Sequence, residues 1–346
     1  MLIVLLMLGC DAGGKGDTAA PPVDLVARLT SRGPHAVGYA QDPVTYAAPT
    51  GERTLRLALW YPSDDASGAS ASAGLYVAGE DVYAGATLAS GVFPVAVFSH
   101  GHQGYAENSG FLMEHLASHG WIVVAPDHTG NTTFDGSDRT TEIYFQRPLD
   151  ISAVIDALPS LGVVGPAVAD EPVLAIGHSF GGYTMFGLGG GAYDPAVCPA
   201  DSAYCSTMTE DWASLFEAGF LDDRVGAYVV MAGGDYDLFG AAGLAAIDRP
   251  FLHLTASEDQ GPGSEGDDIW AGLDDGDDVG VILEGGGHQS FTDYADLLED
   301  VPLDAAEGFR IVDAFVLAWG ERMRGETDST AVLDGGEAVS EAATLR

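Results

Sequence analysis

Ser179 stands in Gly177-His178-Ser179-Phe180-Gly181, directly after the apolar run Val173–Ile176 and directly before a stretch of small residues. A serine hydroxyl is a poor nucleophile until a base removes its proton as it attacks, so Ser179 matters only if the chain presents it sharply and supplies partners. A G-x-S-x-G pentapeptide between a buried strand and a helix does the first. The serine occupies a strained turn, Gly177 and Gly181 avoid collisions with the neighbouring strand and helix, and the hydroxyl is pushed out of the sheet. The competing reading is an ordinary turn in a chain with 47 glycines; the flanking strand and helix signals argue against it.

Of nine histidines, His288 has the best context for a base. It follows the last apolar strand in Glu284-Gly285-Gly286-Gly287-His288-Gln289-Ser290-Phe291, on a loop at the carboxyl end of the expected sheet, where open α/β proteins place their sites. His178, inside the elbow, is expected to point elsewhere. His115, His119 and His253, on a helix and in a strand, read as satisfied structural residues. The acid that holds the imidazole in the right tautomer should lie between Ser179 and His288. Asp259, just past the strand Phe251–Thr255, is favoured over Asp235 and Asp237, which follow the preceding strand. Phe180 N–H and the amide of His102, in Ser99-His100-Gly101-His102-Gln103-Gly104, are the expected donors to the oxyanion.

Two metal readings compete. His100 and His102 could begin a metal site for a metal-assisted hydrolase, but no Asp-His completes the cluster. Asp274-Asp275-Gly276-Asp277-Asp278 lacks the spacing of a calcium loop and reads as a solvated acidic turn. No metal and no cofactor is therefore expected.

The elements that must carry these residues alternate. Strands are predicted at Arg53–Tyr61 (an outer antiparallel one), Phe93–Phe98, Trp121–Ala125, Pro172–Gly177, Val225–Ala232, Phe251–Thr255 and Val279–Leu283, with Gly33–Gly38 as a shaped turn. Helices are predicted at Asn108–His119, Leu149–Leu158, Phe180–Leu188, Leu238–Ile247 and Ala305–Met323. This alternation means a mostly parallel, doubly wound sheet with helices on both faces. The domain proper is placed at residues 24–324, with an excursion at 192–224 and a loose, polar tail at 325–346.

Hydrophobic residues make up 47% of the 346, ample for a large core. Thirteen basic against fifty-two acidic residues give a formal charge of -39, which repels phosphate backbones and anionic headgroups and argues against nucleic-acid binding. Residues 1–23 begin with an apolar run too short to span a bilayer, followed by Leu8-Gly9-Cys10 and a polar stretch, and this reads as an export signal. Leu8-Gly9-Cys10 resembles the end of a bacterial lipobox, which implies a lipidated Cys10 as the only membrane attachment, on a protein of the cell envelope; plain secretion is the alternative. In an oxidising compartment, Cys198 and Cys205 are expected to form a disulfide.

Ser99-His100-Gly101-His102, Leu116-Ala117-Ser118-His119-Gly120, Gly177-His178-Ser179-Phe180-Gly181-Gly182 and His288-Gln289-Ser290-Phe291, with Gly33–Gly38 and Leu59-Trp60-Tyr61-Pro62, together resemble the platelet-activating-factor acetylhydrolases. The likeness extends to dienelactone-hydrolase-like and polyester-hydrolysing, cutinase-like bacterial esterases. It implies an α/β-hydrolase fold and hydrolysis of short or oxidised acyl esters, acetyl phospholipids among them. Ser179, His288 and an Asp would form the triad, and the amides of His102 and Phe180 the oxyanion hole. In the acetylhydrolases the acid follows the strand equivalent to Val225–Ala232, whereas Asp259 follows the cutinase-like pattern. The expectation is an exported serine esterase acting on a small-molecule or lipid ester. A cutinase-like polyester hydrolase and a non-catalytic surface binding module on the same fold are the alternatives.

Overall fold

The structure, a computed structural model, describes residues 24–136, 139–194, 197, 204, 206–273 and 276–346. Its strands are β1 (Ala36–Ala48), β2 (Gly51–Ser63), β3 (Ser72–Ala73), β4 (Tyr76–Val77), β5 (Val82–Ala84), β6 (Val95–Ser99), β7 (Ile122–Pro126), β8 (Val173–His178), β9 (Val225–Met231), β10 (Phe251–Ala256), β11 (Val279–Leu283) and β12 (Ala343–Leu345). Apart from the β3–β4 hairpin, they form one sheet in the order β12-β11-β10-β9-β8-β6-β7-β2-β1-β5. From β7 through β11 neighbouring strands are parallel, while β2 runs antiparallel to β7, β1 to β2 and β12 to β11.

Side-chain alternation along the central strands divides the core in two. Trp60, Phe98, Leu174 and Ile176 face one way and meet Ile311, Phe315 and Trp319 of the helix Ala305–Met323. Leu57, Val97, Val173 and Ala175 face the other way and meet Phe145, Tyr183 and Phe186 of the helices Thr141–Ala157 and Phe180–Leu188. A strand buried on both faces reads as a continuous apolar run, which is why these strands were plain in the sequence. The register pairs Ser99 with Gly177, and His178 with Met231, so the loops after β6, β8 and β9 open at one end of the sheet.

Several expectations are corrected. The segment after Gly33 is a turn only as far as His35; β1 begins at Ala36 and pairs with β2 over its whole length. The strand predicted at Arg53–Tyr61 is accordingly not outermost, because β1 and β5 lie beyond it. The helix expected to start at Leu149 starts at Thr141 and contains Pro148. Proline has no N–H for the carbonyl of Tyr144 four residues back, and that carbonyl instead accepts the Tyr183 hydroxyl at 2.9 Å. The span Leu238–Ile247 is a short 3₁₀ turn, Tyr236–Leu238, followed by a five-residue helix, Gly240–Leu244. Part of the 192–224 excursion is the helix Glu210–Ala218, capped by Thr209. The tail is not loose: it forms the helix Thr330–Leu333 and the strand β12, with Val332, Leu333 and Val339 buried. Cys10, Cys198, Cys205, Asp274 and Asp275 lie outside the described residues.

Candidate active site

β8 delivers Ser179 into the turn. Its backbone sits at φ 55°, ψ -118°, a strained conformation for a residue with a side chain, and the helix Phe180–Leu188 starts at the next residue. The glycines explain how the turn closes. A Cβ on Gly177 would lie 2.1 Å from the carbonyl oxygen of Gly181, and one on Gly181 would lie 1.9 Å from that of Ser99.

His288 and Asp259 arrive from the ends of β11 and β10. The amide of Glu258 donates to Gly286 O at 2.8 Å and that of Gly285 to Ser257 Oγ at 2.7 Å, so the two loops are tied together beside their functional side chains. His288 Nε2 lies 2.9 Å from Ser179 Oγ, and its Nδ1 lies 2.8 Å from Asp259 Oδ2. The carboxylate is the acceptor, so Nδ1 carries the proton and Nε2 is left to accept from Ser179. Burial pushes the Asp259 carboxyl up, but the hydrogen bonds from His288 and from the Gly261 amide more than offset it, and its pKa lies below the ordinary value. It is therefore ionised at neutral pH.

The rival acids are engaged elsewhere. Asp235 is bonded to Arg139, and Asp237 is exposed. His178 does not point away from the site as expected. Its ring centroid lies 4.9 Å from that of His288, and Nε2–H donates to the His288 carbonyl at 3.0 Å, bracing that residue. Burial, then the positive charge that His288 can carry, lower its pKa to about 3, so it stays neutral. Of the histidines expected to be structural, His119 does bond Ser31 O, but neither ring nitrogen of His253 and not the Nε2 of His115 has a hydrogen-bond partner among the described residues. Burial keeps both uncharged, with pKa values lowered to about 3.

The loop after β6 lies against the nucleophile: a Cβ on Gly101 would be 3.1 Å from that of Ser179. Phe180 is the first residue of its helix, so its N–H has no acceptor within that helix and is placed beside the serine. His102 lines the cleft above Ser179. His100 is completely buried; its Nδ1 donates to Gly101 O at 2.7 Å and its Nε2 accepts the amide of His128 at 3.1 Å, leaving no lone pair for a metal. Among the described residues no three His, Cys, Asp or Glu side chains come together as metal ligands.

The cleft over Ser179 has a volume of about 350 Å³ and is walled by Leu75, Tyr105, Tyr294, Leu297 and Leu298; among the described residues no acidic or basic side chain apart from histidine lines it. A larger groove of about 950 Å³, between Asp42–Pro49 and the helix Thr141–Ala157, has no histidine to serve its serines as base.

Comparison with solved structures bears on the fold. The ferulic acid esterase from Streptomyces cinnamoneus superposes with a TM-score of 0.64 over 94% of this chain and 98% of that one, at 22% sequence identity. This is an α/β-hydrolase fold. The chlorophyllase family model matches residues 79–198, which span β5 to the elbow and include Ser179 but neither Asp259 nor His288. No curated protein matches the sequence. Ser179, His288 and Asp259, singled out in the sequence, are brought within hydrogen-bonding distance of one another in this fold. His178 as a support for His288 was missed, although it sat inside the motif, because its partner is a backbone carbonyl 110 residues away.

Proposed function

We propose that the protein is a serine carboxylic-ester hydrolase working through an acyl-enzyme. The observation that carries this reading is the hydrogen-bonded line from Ser179 Oγ through His288 to Asp259, with the serine on a strained elbow facing an open cleft. Ser179 Oγ adds to the ester carbonyl as His288 Nε2 takes its proton, and the carbonyl electron pair moves onto oxygen, where the Phe180 and His102 amides donate to it. Collapse expels the alcohol, which leaves with the proton from His288. Water then adds to the acyl-serine by the same route and releases the acid.

The lining favours uncharged esters with a short apolar group. Among the described residues it offers no carboxylate to a choline headgroup and no lysine or arginine to a phosphate, so neutral acyl esters fit it better than acetyl phospholipids. Export with a lipid on Cys10, and a Cys198–Cys205 disulfide, complete the proposal; radiolabelled palmitate on Cys10 and a linked peptide in unreduced digests are the expected findings.

The test is hydrolysis of p-nitrophenyl butyrate combined with labelling by a fluorophosphonate. Ser179→Ala should lose activity by several orders of magnitude together with the label, while folding is retained. A variant that keeps a tenth of wild-type turnover refutes the mechanism, and activity abolished by a chelator would transfer it to a metal.

A further inference from the structure

Behind the loop that carries His102 lies a second Ser-His-Asp line. Ser99 Oγ is 2.9 Å from His128 Nε2, and His128 Nδ1 is 2.8 Å from Asp150 Oδ2. All three are completely buried, so they face no substrate. Their proton order is fixed from both ends. Asp150 accepts from Arg53 at 2.6 and 2.8 Å and from Tyr46 at 2.7 Å, so it takes the His128 Nδ1 proton. At the other end Arg147 Nη2 donates to Ser99 Oγ at 3.2 Å, which turns the serine proton towards His128.

Arg147 is the unusual member. It is wholly buried in the helix Thr141–Ala157, and no carboxylate forms an ion pair with it among the described residues. Its guanidinium instead reaches four neutral acceptors. Besides Ser99 Oγ these are the His100 carbonyl, Asn131 Oδ1 at 2.9 Å and Thr184 Oγ1 at 3.2 Å. Its Cζ also lies 4.6 Å from the centroid of the Phe180 ring. A buried charge without a direct counter-ion is costly, and the hydroxyl and imidazole dipoles leading to Asp150 are what offset it. Burial lowers the Arg147 pKa to about 9, which leaves it charged at neutral pH.

Each of those contacts falls on an element bearing an oxyanion donor or, for Asn131, on a side chain bonded to one. The His100 carbonyl belongs to the loop two residues before His102, and Asn131, held by Arg147, donates through Nδ2 to His102 Nδ1 at 2.9 Å. Thr184 and Phe180 are one turn apart on the helix that supplies the other amide. We propose that Arg147 is a positioning residue for the oxyanion hole, clamping its two halves in register and placing a fixed positive charge behind them, with Ser99, His128 and Asp150 as its neutralising relay. This rests on the esterase reading above.

The test separates binding of the tetrahedral oxyanion from binding of the ester. In Arg147→Met, kcat for p-nitrophenyl butyrate should fall about 10²-fold, the scale of one lost oxyanion donor, with KM within about threefold. The inhibition constant of an alkyl trifluoromethyl ketone, whose adduct on Ser179 carries the oxyanion, should rise by the same factor. Asn131→Ala, which keeps the charge but removes the hydrogen bond to His102 Nδ1, should move kcat and the ketone constant together by about tenfold, and it decides the question should Arg147→Met fail to fold. A folded Arg147→Met or Asn131→Ala with an unchanged ketone constant overturns the proposal. So does a loss confined to KM. Ser179→Ala serves as the control: if it remains active, the esterase reading fails, whereas an inactive Ser179→Ala beside an unchanged ketone constant refutes only the role of Arg147.

Discussion

Replacing Asp259 with Asn should do more harm than the loss of a charge suggests, because the Gly261 amide dictates how the new side chain lies. In the wild type, Asp259 Oδ1 accepts Gly261 N–H at 2.7 Å while Oδ2 faces His288 Nδ1 at 2.8 Å. An asparagine has one oxygen, and the N–H of Gly261 claims it, which turns the amide NH₂ towards His288. Nδ1 must then be the unprotonated nitrogen and the ring proton moves to Nε2, 2.9 Å from Ser179 Oγ. A protonated Nε2 cannot take the serine proton. Turnover should fall by about 10³–10⁴, or about 4–5.5 kcal/mol in the barrier. The assay is steady-state hydrolysis of p-nitrophenyl butyrate, with circular dichroism to show that the fold is kept. Asp235→Asn, which disturbs the pair with Arg139 and the hydrogen bond from the Tyr144 hydroxyl, should cost less than about tenfold. A loss below tenfold in Asp259→Asn, or a larger loss in Asp235→Asn, would refute the assignment of the acid.

Gly181→Ala should destabilise by about 3 kcal/mol or more, since the added methyl meets the backbone at Ser99 and neither element can retreat; thermal melting measures it. Glu321 is pushed up by burial, but two hydrogen bonds from Arg28, at 2.6 and 2.8 Å, more than offset this and hold its pKa below the ordinary value. The stability it adds is therefore present above the unfolded carboxyl value near pH ~4.3 and is lost as pH falls through the folded value. Glu321→Gln should be less stable than wild type at pH 7, by about 1 kcal/mol after solvent screening of the partly exposed Arg28, and the difference should vanish in acid. Removing residues 326–346 uncovers Val332, Leu333 and Val339 and their seat on the core, and should cost roughly 3–6 kcal/mol in denaturant titrations.

What the sequence revealed were features written locally. β8 and the helix Phe180–Leu188 stood out because one is a buried apolar run and the other follows a Gly-rich turn, and Val279–Leu283 and Ala305–Met323 were placed to the residue. β1 escaped notice because Gly38 and Pro43 interrupt it. Pro43 is tolerated because β5 pairs only with Val37–Tyr39, leaving the outer side of β1 without a ladder at that point. The tail was misread because Asp334-Gly335-Gly336-Glu337 is polar, while Val332, Leu333 and Val339 on either side of it find the core. Arg147 was invisible for a different reason. Its role depends on acceptors drawn from residues 99 to 184, and the only local sign was a basic residue in the otherwise uncharged Ile143–Leu149 of a chain with thirteen such residues.

A sheet this wide presents two open margins, and each is closed by a three-residue strand, β5 on one side and β12 on the other. Short margins leave few unpaired amides in a row, so a second molecule finds little template on which to continue the ladder. β12 covers β11 only at Val281–Leu283, the part of that strand leading to the His288 loop. The same three residues thus guard the side of the sheet where fibril-like stacking would begin and the strand that ends beside the base. Conditions that peel β12 away should bring self-association and loss of activity on together.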